Sequence, residues 1–340
     1  MKLLLVKLSS LGDVVHTFPA LTDAQAMFPG LVVDWAVEEA FAPIAALHPA
    51  VRRTISVPMR RLRKNPIKAW RSGEAGAVRR ALAAEQYDVI IDAQGLVKSA
   101  LIAALAHGPR HGFDSSSARE GLASRFYAGR HHVPEVEHMA TRIRKLFGLA
   151  LGYGIEALPE DSGLRPAHAE EGAPPYLVYL HGTTWPTKTW SLEGWQSLAR
   201  LAEAAGWQVK MFAHGAVEEA RARKVAQGCA AVRLLPPQSL GTLAPVLGAA
   251  AGVVSADTGL GHLAAAYGVP TLGLYGPTDP RLTGMFGPRV RELAARRDCA
   301  PCEKSSCRIA PENREGPPCM ADHDARTVWA ALQALRSQQV

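Results

Sequence analysis

The feature that most constrains the fold is a regular alternation of short apolar runs and longer amphipathic segments along the first half of the chain. The apolar runs have the length of buried strands, and the segments between them have the length and periodicity of helices. Strands are predicted at 2–7, 31–37 and 87–92, and helices at 13–28 and from about residues 38 and 96. Such alternation is typical of a parallel sheet with helices on both faces.

The alternation stops at residue 157 and starts again at Tyr176. The segment between them contains four prolines and two glycines and has no periodicity, which indicates a linker. After it, strands are predicted at 176–181, 208–212, 232–235, 252–255 and 271–275, and helices at 192–205, 217–228, 240–249, 259–267 and 324–336. A chain of 340 residues is also long enough for two domains. We therefore predict an α/β protein with one Rossmann-like domain at 1–156, a linker at 157–175, a second such domain at 176–323 and a C-terminal helix at 324–340.

Composition restricts the class of protein further. Hydrophobic residues make up 48% of the chain and charged residues 20%, which excludes general disorder. No apolar run reaches the roughly 18 residues that a membrane-spanning helix needs. The apolar start of the chain is too short for a signal-peptide core. We expect a cytoplasmic protein.

The formal net charge is +7, and basic residues are concentrated between Arg52 and Arg80, where ten of them accompany one acid, Glu74. A local field of this kind attracts a polyanion, either an anionic lipid or a phosphorylated or carboxylated substrate. The alternative is a solvated helix face. Nucleic acid is not expected as a partner, because the stretch has a single aromatic residue, Trp70, and no known reading module.

The first strand runs into a small-residue turn that ends at Asp13. A carboxylate at a strand's carboxyl end and a helix's start is stabilised in its ionised form, and it can accept a proton from a substrate hydroxyl. The alternative is a plain N-cap aspartate. The turn is not a Gly-x-Gly-x-x-Gly sequence, which argues against a dehydrogenase.

Two strand ends in the second domain carry groups that suit an anion. Thr258 and Gly259 would offer backbone N–H groups at a helix start, Asp257 suits a sugar hydroxyl, and His262 lies on the first turn. The alternative is a capped strand–helix junction with a packed histidine. Another strand end carries Thr183, Thr184 and Lys188, which could form a second cradle for anionic oxygens. No paired-aspartate metal clamp is evident, so we predict no cofactor and no metal in the chemistry.

Four of the five cysteines, namely Cys299, Cys302, Cys307 and Cys319, lie within 21 residues. Clustered thiols in a cytoplasmic chain could form a structural metal site. Unligated thiols are the alternative, because the spacing is not that of a standard zinc ribbon.

Several ordered motifs together resemble the ADP-heptose lipopolysaccharide heptosyltransferases, which form glycosyltransferase family 9. They are KLSSLGDV at 7–14, FPALTDA at 18–24, IDAQGLVKS at 91–99, Thr183-Thr184 with Lys188, and Asp257-Thr258-Gly259 with His262. The resemblance covers nearly the whole chain. It implies a GT-B fold, in which two Rossmann-like domains face each other across a cleft, with the acceptor in the first and the nucleotide-sugar in the second.

The resemblance also implies an activity. It is the inverting transfer of heptose from ADP-L-glycero-β-D-manno-heptose onto a Kdo residue of Kdo2–lipid A, in the inner core of lipopolysaccharide. The motifs are most similar to the branch that adds the first heptose. The branch that adds the second heptose is the alternative within the family, and the cysteine-rich tail is more typical of it. A non-catalytic, nucleotide-binding protein of the membrane surface is the alternative outside the enzymes.

The family's site residues can be transferred where this sequence matches. Asp13 resembles the catalytic base, and Lys188 resembles the cation that offsets charge on the leaving ADP. The donor-binding residues implied are Thr183, Thr184, Lys188, Glu218, Asp257, Thr258, Gly259 and His262. The acceptor-binding residues implied are Ser10, Arg60, Arg61, Arg63, Lys64, Lys98 and Arg119. Such an enzyme would be peripheral at the cytoplasmic face of the inner membrane, in contact with its anionic surface.

Overall fold

The structure is a computed structural model that describes residues 1–64, 73–167, 172–310 and 316–338, with only the backbone described at positions 62 and 63. The chain divides into two compact units, Met1–Leu164 and Arg165–Val340. The division falls inside the segment 157–175 that the sequence assigns to a linker.

The first unit contains a six-stranded parallel sheet with the strand order β3-β2-β1-β4-β5-β6. Its strands are β1 (Lys2–Val6), β2 (Val32–Glu38), β3 (Val51–Val57), β4 (Val89–Asp92), β5 (Arg110–Phe113) and β6 (Gly129–His131). Its α-helices are α1 (Leu11–Val15), α2 (Phe18–Met27), α3 (Ala42–Ala45), α4 (Met59–Lys64), α5 (Glu74–Ala83), α6 (Val97–Ala103) and α7 (Met139–Leu151). Two 3-10 helices span Glu39–Phe41 and Gly121–Phe126.

The second unit repeats this arrangement with the strand order β12-β11-β10-β7-β8-β9, again all parallel. Its strands are β7 (Tyr176–Leu180), β8 (Gln208–Met211), β9 (Val232–Leu234), β10 (Gly252–Ala256), β11 (Thr271–Tyr275) and β12 (Val290–Ala294). Its α-helices are α8 (Leu192–Ala204), α9 (Ala216–Ala226), α10 (Leu240–Gly248), α11 (Gly259–Ala266), α12 (Pro280–Thr283), α13 (Pro318–Ala321) and α14 (Ala325–Ser337). A 3-10 helix spans Pro186–Lys188.

The central strands are buried on both faces, because helices cover the sheets as in other parallel α/β folds. Leu3, Leu4 and Leu5 of β1 have no exposed surface. In the second unit the core centres on Trp190 and Trp195, whose rings pack edge to face with centroids 4.9 Å apart. This burial explains why the apolar runs predicted the central strands.

The prediction of one continuous helix at 13–28 was wrong. The segment 13–28 is divided into α1 and α2, and α1 already begins at Leu11. The break falls at His16 and Thr17, where Thr17 caps α2 and Pro19 follows in its first turn. Proline lacks a backbone N–H and fixes φ, so it suits the first turn of a helix but not the interior.

Candidate active site

The residues singled out in the first unit gather at one edge of its sheet. Because the strands are parallel, their carboxyl ends meet at that edge, where open α/β sheets bind ligands. Asp13 follows β1, Arg60 follows β3, Lys98 follows β4 and Arg119 follows β5. The structure therefore brings the predicted base and three of the predicted acceptor cations to the same edge.

Asp13 is held by the backbone at the start of α1. It is the third residue of the helix, and its Oδ2 atom accepts hydrogen bonds from the Ser10 backbone N–H at 2.7 Å and the Ser10 hydroxyl at 2.8 Å. The N-cap residue is Ser10, so the alternative of Asp13 as a plain N-cap is wrong. The side chain keeps 21% of its surface exposed, which leaves it accessible to a substrate hydroxyl.

Lys7 supplies the charge that faces Asp13. Its ammonium lies 3.5 Å from Asp13 Oδ1 and donates a hydrogen bond to the Ala93 carbonyl at 3.0 Å, with 2% of the side chain exposed. Burial acts to raise the pKa of Asp13, but the Lys7 charge and the Ser10 hydrogen bonds outweigh it and lower that pKa. Asp13 is therefore ionised at neutral pH, as a general base must be.

Gln94 and Asp92 connect the loops after β1 and β4. The Gln94 side-chain oxygen accepts hydrogen bonds from the backbone N–H groups of Leu8 at 2.9 Å and Ser9 at 3.1 Å. Asp92 in turn accepts from the Gln94 backbone N–H at 2.9 Å and the Tyr127 hydroxyl at 2.7 Å. The sequence analysis missed the roles of Lys7 and Gln94, although both lie in the motifs that carry the resemblance.

Acids from outside the basic stretch neutralise part of its positive charge. Arg52 and Arg53 both pair with the buried Asp34 at 2.8 Å, and Arg52 also pairs with Glu85 at 2.6 Å. Arg61 is likewise paired, with Glu39 at 2.6 Å. The expectation of a broad uncompensated field was thus wrong for these three arginines, because acids distant in sequence neutralise them.

The other predicted acceptor residues fall into two groups. Ser10, Arg60, Lys64, Lys98 and Arg119 are exposed. The side chain of Arg63 lies outside the described residues, as do Lys68 and Arg71 of the basic stretch.

In the second unit, Asp257 is the centre of a buried polar network. It follows β10, and its carboxylate lies 2.6 Å from the Lys188 ammonium and 3.4 Å from His262 Nε2, while the Thr278 hydroxyl donates to it at 2.8 Å. Burial acts to raise the pKa of Asp257, but His262 and Lys188 outweigh it and hold the pKa well below its usual range. Two strand ends and the loop after β11 are joined in this way.

Lys188 ends the 3-10 helix Pro186–Lys188 that follows β7. Its ammonium lies 4.6 Å from the centre of the Trp185 ring, and the ring limits the positions that the ammonium can take on that side. The Thr183 hydroxyl accepts from the Trp185 backbone N–H at 3.2 Å and so shapes the loop, whereas Thr184 is exposed. This loop thus presents one partly exposed ammonium and one exposed hydroxyl.

The remaining donor residues lie on the first turns of two helices. Thr258 caps α11, which Gly259 begins, and His262 is buried in its first turn. Glu218 in α9 accepts a hydrogen bond from the His214 backbone N–H at 2.8 Å. The Glu218 carboxylate packs closely against Gly182: a Cβ atom on residue 182 would lie only 2.6 Å from Glu218 Oε2.

Two further residues of this site escaped the sequence analysis. Thr278 lies in the loop after β11, and its contact with Asp257 spans 21 residues of sequence. Glu292 lies on β12, a strand that was not predicted, and accepts from the Met285 backbone N–H at 2.8 Å. Burial raises the pKa of Glu292 to about 7.

The cysteines show no metal-binding arrangement. All five are free thiols. Over 1–64, 73–167, 172–310 and 316–338, no group of three or more His, Cys, Asp or Glu side chains could hold a metal ion. The structural site suggested at the four clustered cysteines is therefore not supported.

None of the helices in the described part of the chain is long and apolar enough to cross a bilayer.

The chain is similar to several known proteins. The family model described as "Glycosyltransferase family 9 (heptosyltransferase)" matches residues 75–312. A Pseudomonas aeruginosa protein, "Lipopolysaccharide heptosyltransferase 1", is 45% identical over 348 residues, covering 98% of this chain and 98% of the relative. The "Lipopolysaccharide heptosyltransferase 2" of Escherichia coli is 24% identical, with 86% and 88% covered.

One solved structure matches nearly the whole length of the chain. It is "E. coli heptosyltransferase WaaC with ADP", at a TM-score of 0.86 and 41% identity, covering 98% of this chain and 100% of that one. The predicted GT-B fold of the α/β class is confirmed.

Proposed function

The chain belongs to glycosyltransferase family 9, the heptosyltransferase family, and on that premise we propose that it transfers L-glycero-D-manno-heptose from ADP-heptose onto a Kdo residue of Kdo2–lipid A. This reaction adds the first heptose to the inner core of lipopolysaccharide. The observation that carries the proposal is that the first unit holds an ionised, accessible carboxylate, Asp13, and that the second unit separately holds the Lys188–Asp257 network. A protein that only binds nucleotide would not need the first of these groups.

Asp13 acts as the general base. The acceptor hydroxyl gives its proton to the Asp13 carboxylate as its oxygen forms a bond to the anomeric carbon of heptose. The bond from that carbon to the diphosphate breaks, and ADP leaves with the electron pair. The configuration inverts, because the attacking oxygen and the leaving group lie on opposite sides of the carbon.

The second unit stabilises the leaving ADP. Lys188 places an ammonium against the developing negative charge, and Asp257 and Trp185 hold that ammonium in position. Thr258 and Gly259 add backbone N–H groups at the start of α11, where a helix favours an anion. Glu218, next to the loop after β7, binds the ribose hydroxyls. Lysine and backbone groups thus carry the diphosphate charge in this proposal, and no cofactor takes part.

The first unit receives the acceptor. Arg60, Lys64, Lys98 and Arg119 are exposed cations near the edge that carries Asp13, and they suit the carboxylates and phosphates of Kdo2–lipid A. Because that acceptor is anchored in a bilayer, the enzyme works at the cytoplasmic face of the inner membrane.

A mass-spectrometric transfer assay tests the proposal. The purified protein is mixed with ADP-heptose and with either Kdo2–lipid A or its mono-heptosylated product. We expect a gain of one heptose on the unmodified acceptor. A gain only on the pre-heptosylated acceptor would assign the second heptose instead, and no transfer to either, with ADP still bound, would refute the sugar or the acceptor.

A further inference from the structure

Of the four exposed leucines that the structure describes in the first unit, three lie on α6, on the turn that follows it and on the neighbouring 3-10 helix Gly121–Phe126. Leu101 is 50% exposed, Leu105 37% and Leu122 54%. A single exposed leucine needs no explanation, but several together with charged neighbours mark an interaction surface.

Leu101 lies on α6, and Leu105 lies on the turn that follows it. Lys98, Leu101 and Leu105 are spaced by three and four residues, which places side chains on the same side of a helix. The turn continues past the helix end, where the Leu105 backbone N–H donates to the Ile102 carbonyl at 3.1 Å. Ala100 and Ala103 of the same helix are fully buried, so α6 has one face in the core and one in solvent.

The third leucine lies on the 3-10 helix Gly121–Phe126, which packs against α6. Ala100 and Ala123 belong to one buried cluster, and the residues that follow and precede them in sequence, Leu101 and Leu122, are exposed. Leu122 and Arg125 are three residues apart, and a 3-10 helix aligns side chains at that spacing. Both are exposed.

Three cations accompany the leucines. Lys98, Arg119 and Arg125 are exposed, and none of them forms an ion pair with any residue that the structure describes. Arg119 lies beside the start of α6, because the neighbouring Glu120 backbone N–H donates to the Gly95 carbonyl at 3.0 Å. The acid of this region, Glu120, accepts a hydrogen bond from the Val97 backbone N–H at 2.7 Å.

We propose that these six residues form a membrane-docking surface for an anionic phospholipid bilayer. The three leucines enter the boundary between headgroups and acyl chains, and the three cations contact lipid phosphates. Long basic side chains suit this position, since their stems pack on apolar groups while the charges stay in water. We name this surface the leucine patch.

The position of the leucine patch agrees with a lipid-anchored acceptor, and this part of the inference rests on the proposed function. Lys98 and Arg119 lie near the sheet edge that carries Asp13, whereas Leu101 lies further along α6 and Leu105 on the turn that follows it, away from that edge. The sugars of the acceptor could thus reach Asp13 while its acyl chains remain in the bilayer. The basic stretch is less suitable, because Arg52, Arg53 and Arg61 are already paired with acids.

Vesicle co-sedimentation tests the proposal. The probes are vesicles of phosphatidylethanolamine with phosphatidylglycerol, and neutral vesicles of phosphatidylcholine. The triple variant Leu101→Ser, Leu105→Ser, Leu122→Ser is expected to lose about tenfold or more of its binding to the anionic vesicles, because three apolar side chains no longer insert. Arg125→Gln is expected to lose about threefold to tenfold and to become less sensitive to salt.

The matched control is a second triple variant outside the leucine patch, Val136→Ser, Val217→Ser, Ile309→Ser, whose native side chains are 83%, 86% and 64% exposed. It should bind vesicles as the wild type does. Unchanged binding of the leucine variant, an equal loss in the control, or equal binding of the wild type to neutral vesicles would overturn the proposal. So would a change in oligomeric state of the leucine variant without a change in vesicle binding, since the occupant would then be a second copy.

Transfer to a deacylated, water-soluble acceptor separates this proposal from the proposed function. The leucine variant should retain that activity and its ADP affinity, which also shows that it is folded. A wild type that transfers heptose but binds no anionic vesicles would refute the leucine patch alone. A wild type that binds vesicles through the leucine patch but transfers no heptose would refute the proposed function alone.

Discussion

The two units share one sheet topology but organise their polar groups in opposite ways. Each has a central strand flanked on one side by the next two strands of its unit and on the other by the last three. At the carboxyl edge of the second sheet, Asp257, Lys188, His262 and Thr278 are already joined in a buried network. At the same edge of the first sheet, Asp13 is partly exposed and faces one buried cation, Lys7, while Arg60, Lys98 and Arg119 are exposed.

The difference follows from what each unit would bind. A nucleoside diphosphate is small and highly charged, so a preorganised network can stabilise it with little reorganisation. A glycolipid acceptor is large and varied in charge, and open cations can accommodate it without a closed pocket. The shared fold therefore determines where the sites lie, and the loops at the strand ends determine what they bind.

The largest effect is expected from Asp13→Asn. The amide oxygen can still accept the Ser10 hydrogen bonds, so the start of α1 should remain intact, but no base is left. Turnover should fall by about 10² or more, which is the usual contribution of a general base. Steady-state kinetics with both substrates saturating measures this, and a decrease of less than about tenfold would argue against Asp13 as the base.

Lys188→Met should have the next largest effect. It removes the ammonium and leaves the Asp257 carboxylate to repel the diphosphate. Donor affinity and turnover should both fall, each by about 10- to 100-fold, as for the loss of a hydrogen bond between charged groups. The control is Lys210→Met, a lysine that also lies over an aromatic ring, that of Tyr176, but within β8. Equal losses in both variants would contradict a specific role of Lys188.

Arg60→Gln tests the role of the exposed cations of the first unit. The acceptor KM should rise by about threefold to tenfold, since one exposed charge contact is lost, and the donor KM should not change. Arg52→Gln is the matched control from the same basic stretch. Because Arg52 pairs with Asp34 and Glu85, its loss should lower the free energy of unfolding by about 1 kcal/mol and leave the acceptor KM unaltered. The reverse pattern would show that we have assigned the two arginines wrongly.

The smallest effect at high pH is expected from Lys7→Met. Lys7 lowers the pKa of Asp13, so its removal raises that pKa. A general base acts when deprotonated, and the rate therefore rises with pH through its pKa. The acid limb of the pH–rate profile should move to higher pH in the variant, with a similar plateau above it. Lys2→Met is the control, because Lys2 lies at the other end of β1 and pairs with Glu85 at 2.9 Å. A profile that falls uniformly at every pH would indicate a structural role only.

The sequence predicted the central strands of both sheets but not the strands β3, β5, β6 and β12. The central strands are runs of Val, Ile and Leu because both of their faces are covered. The outer strands are short or polar: β3 carries Arg52 and Arg53, whose charges are balanced by Asp34 on the neighbouring strand. Such compensation between strands is not visible in a local pattern.

In the candidate site, too, contacts between residues close in sequence were predictable, and contacts between separate strand ends were not. Asp13 with Ser10 and Asp257 with His262 are close in sequence, so their motifs were recognisable. The contacts of Asp257 with Lys188 and Thr278 join three strand ends and depend on the sheet order. Lys7 was visible as a lysine at the end of an apolar strand, but its contact with Asp13 required the turn to be folded.

The central claim is a division of labour, in which the first unit supplies the base and the second holds the nucleotide. Isothermal titration of ADP into Asp13→Asn and Lys188→Met, beside the turnover of each, tests it most directly. We expect Asp13→Asn to bind ADP as the wild type does while its turnover is about 10² lower, and Lys188→Met to lose both ADP affinity and turnover. If Asp13→Asn loses ADP affinity in proportion to its turnover, Asp13 is not a base that acts only in the chemical step.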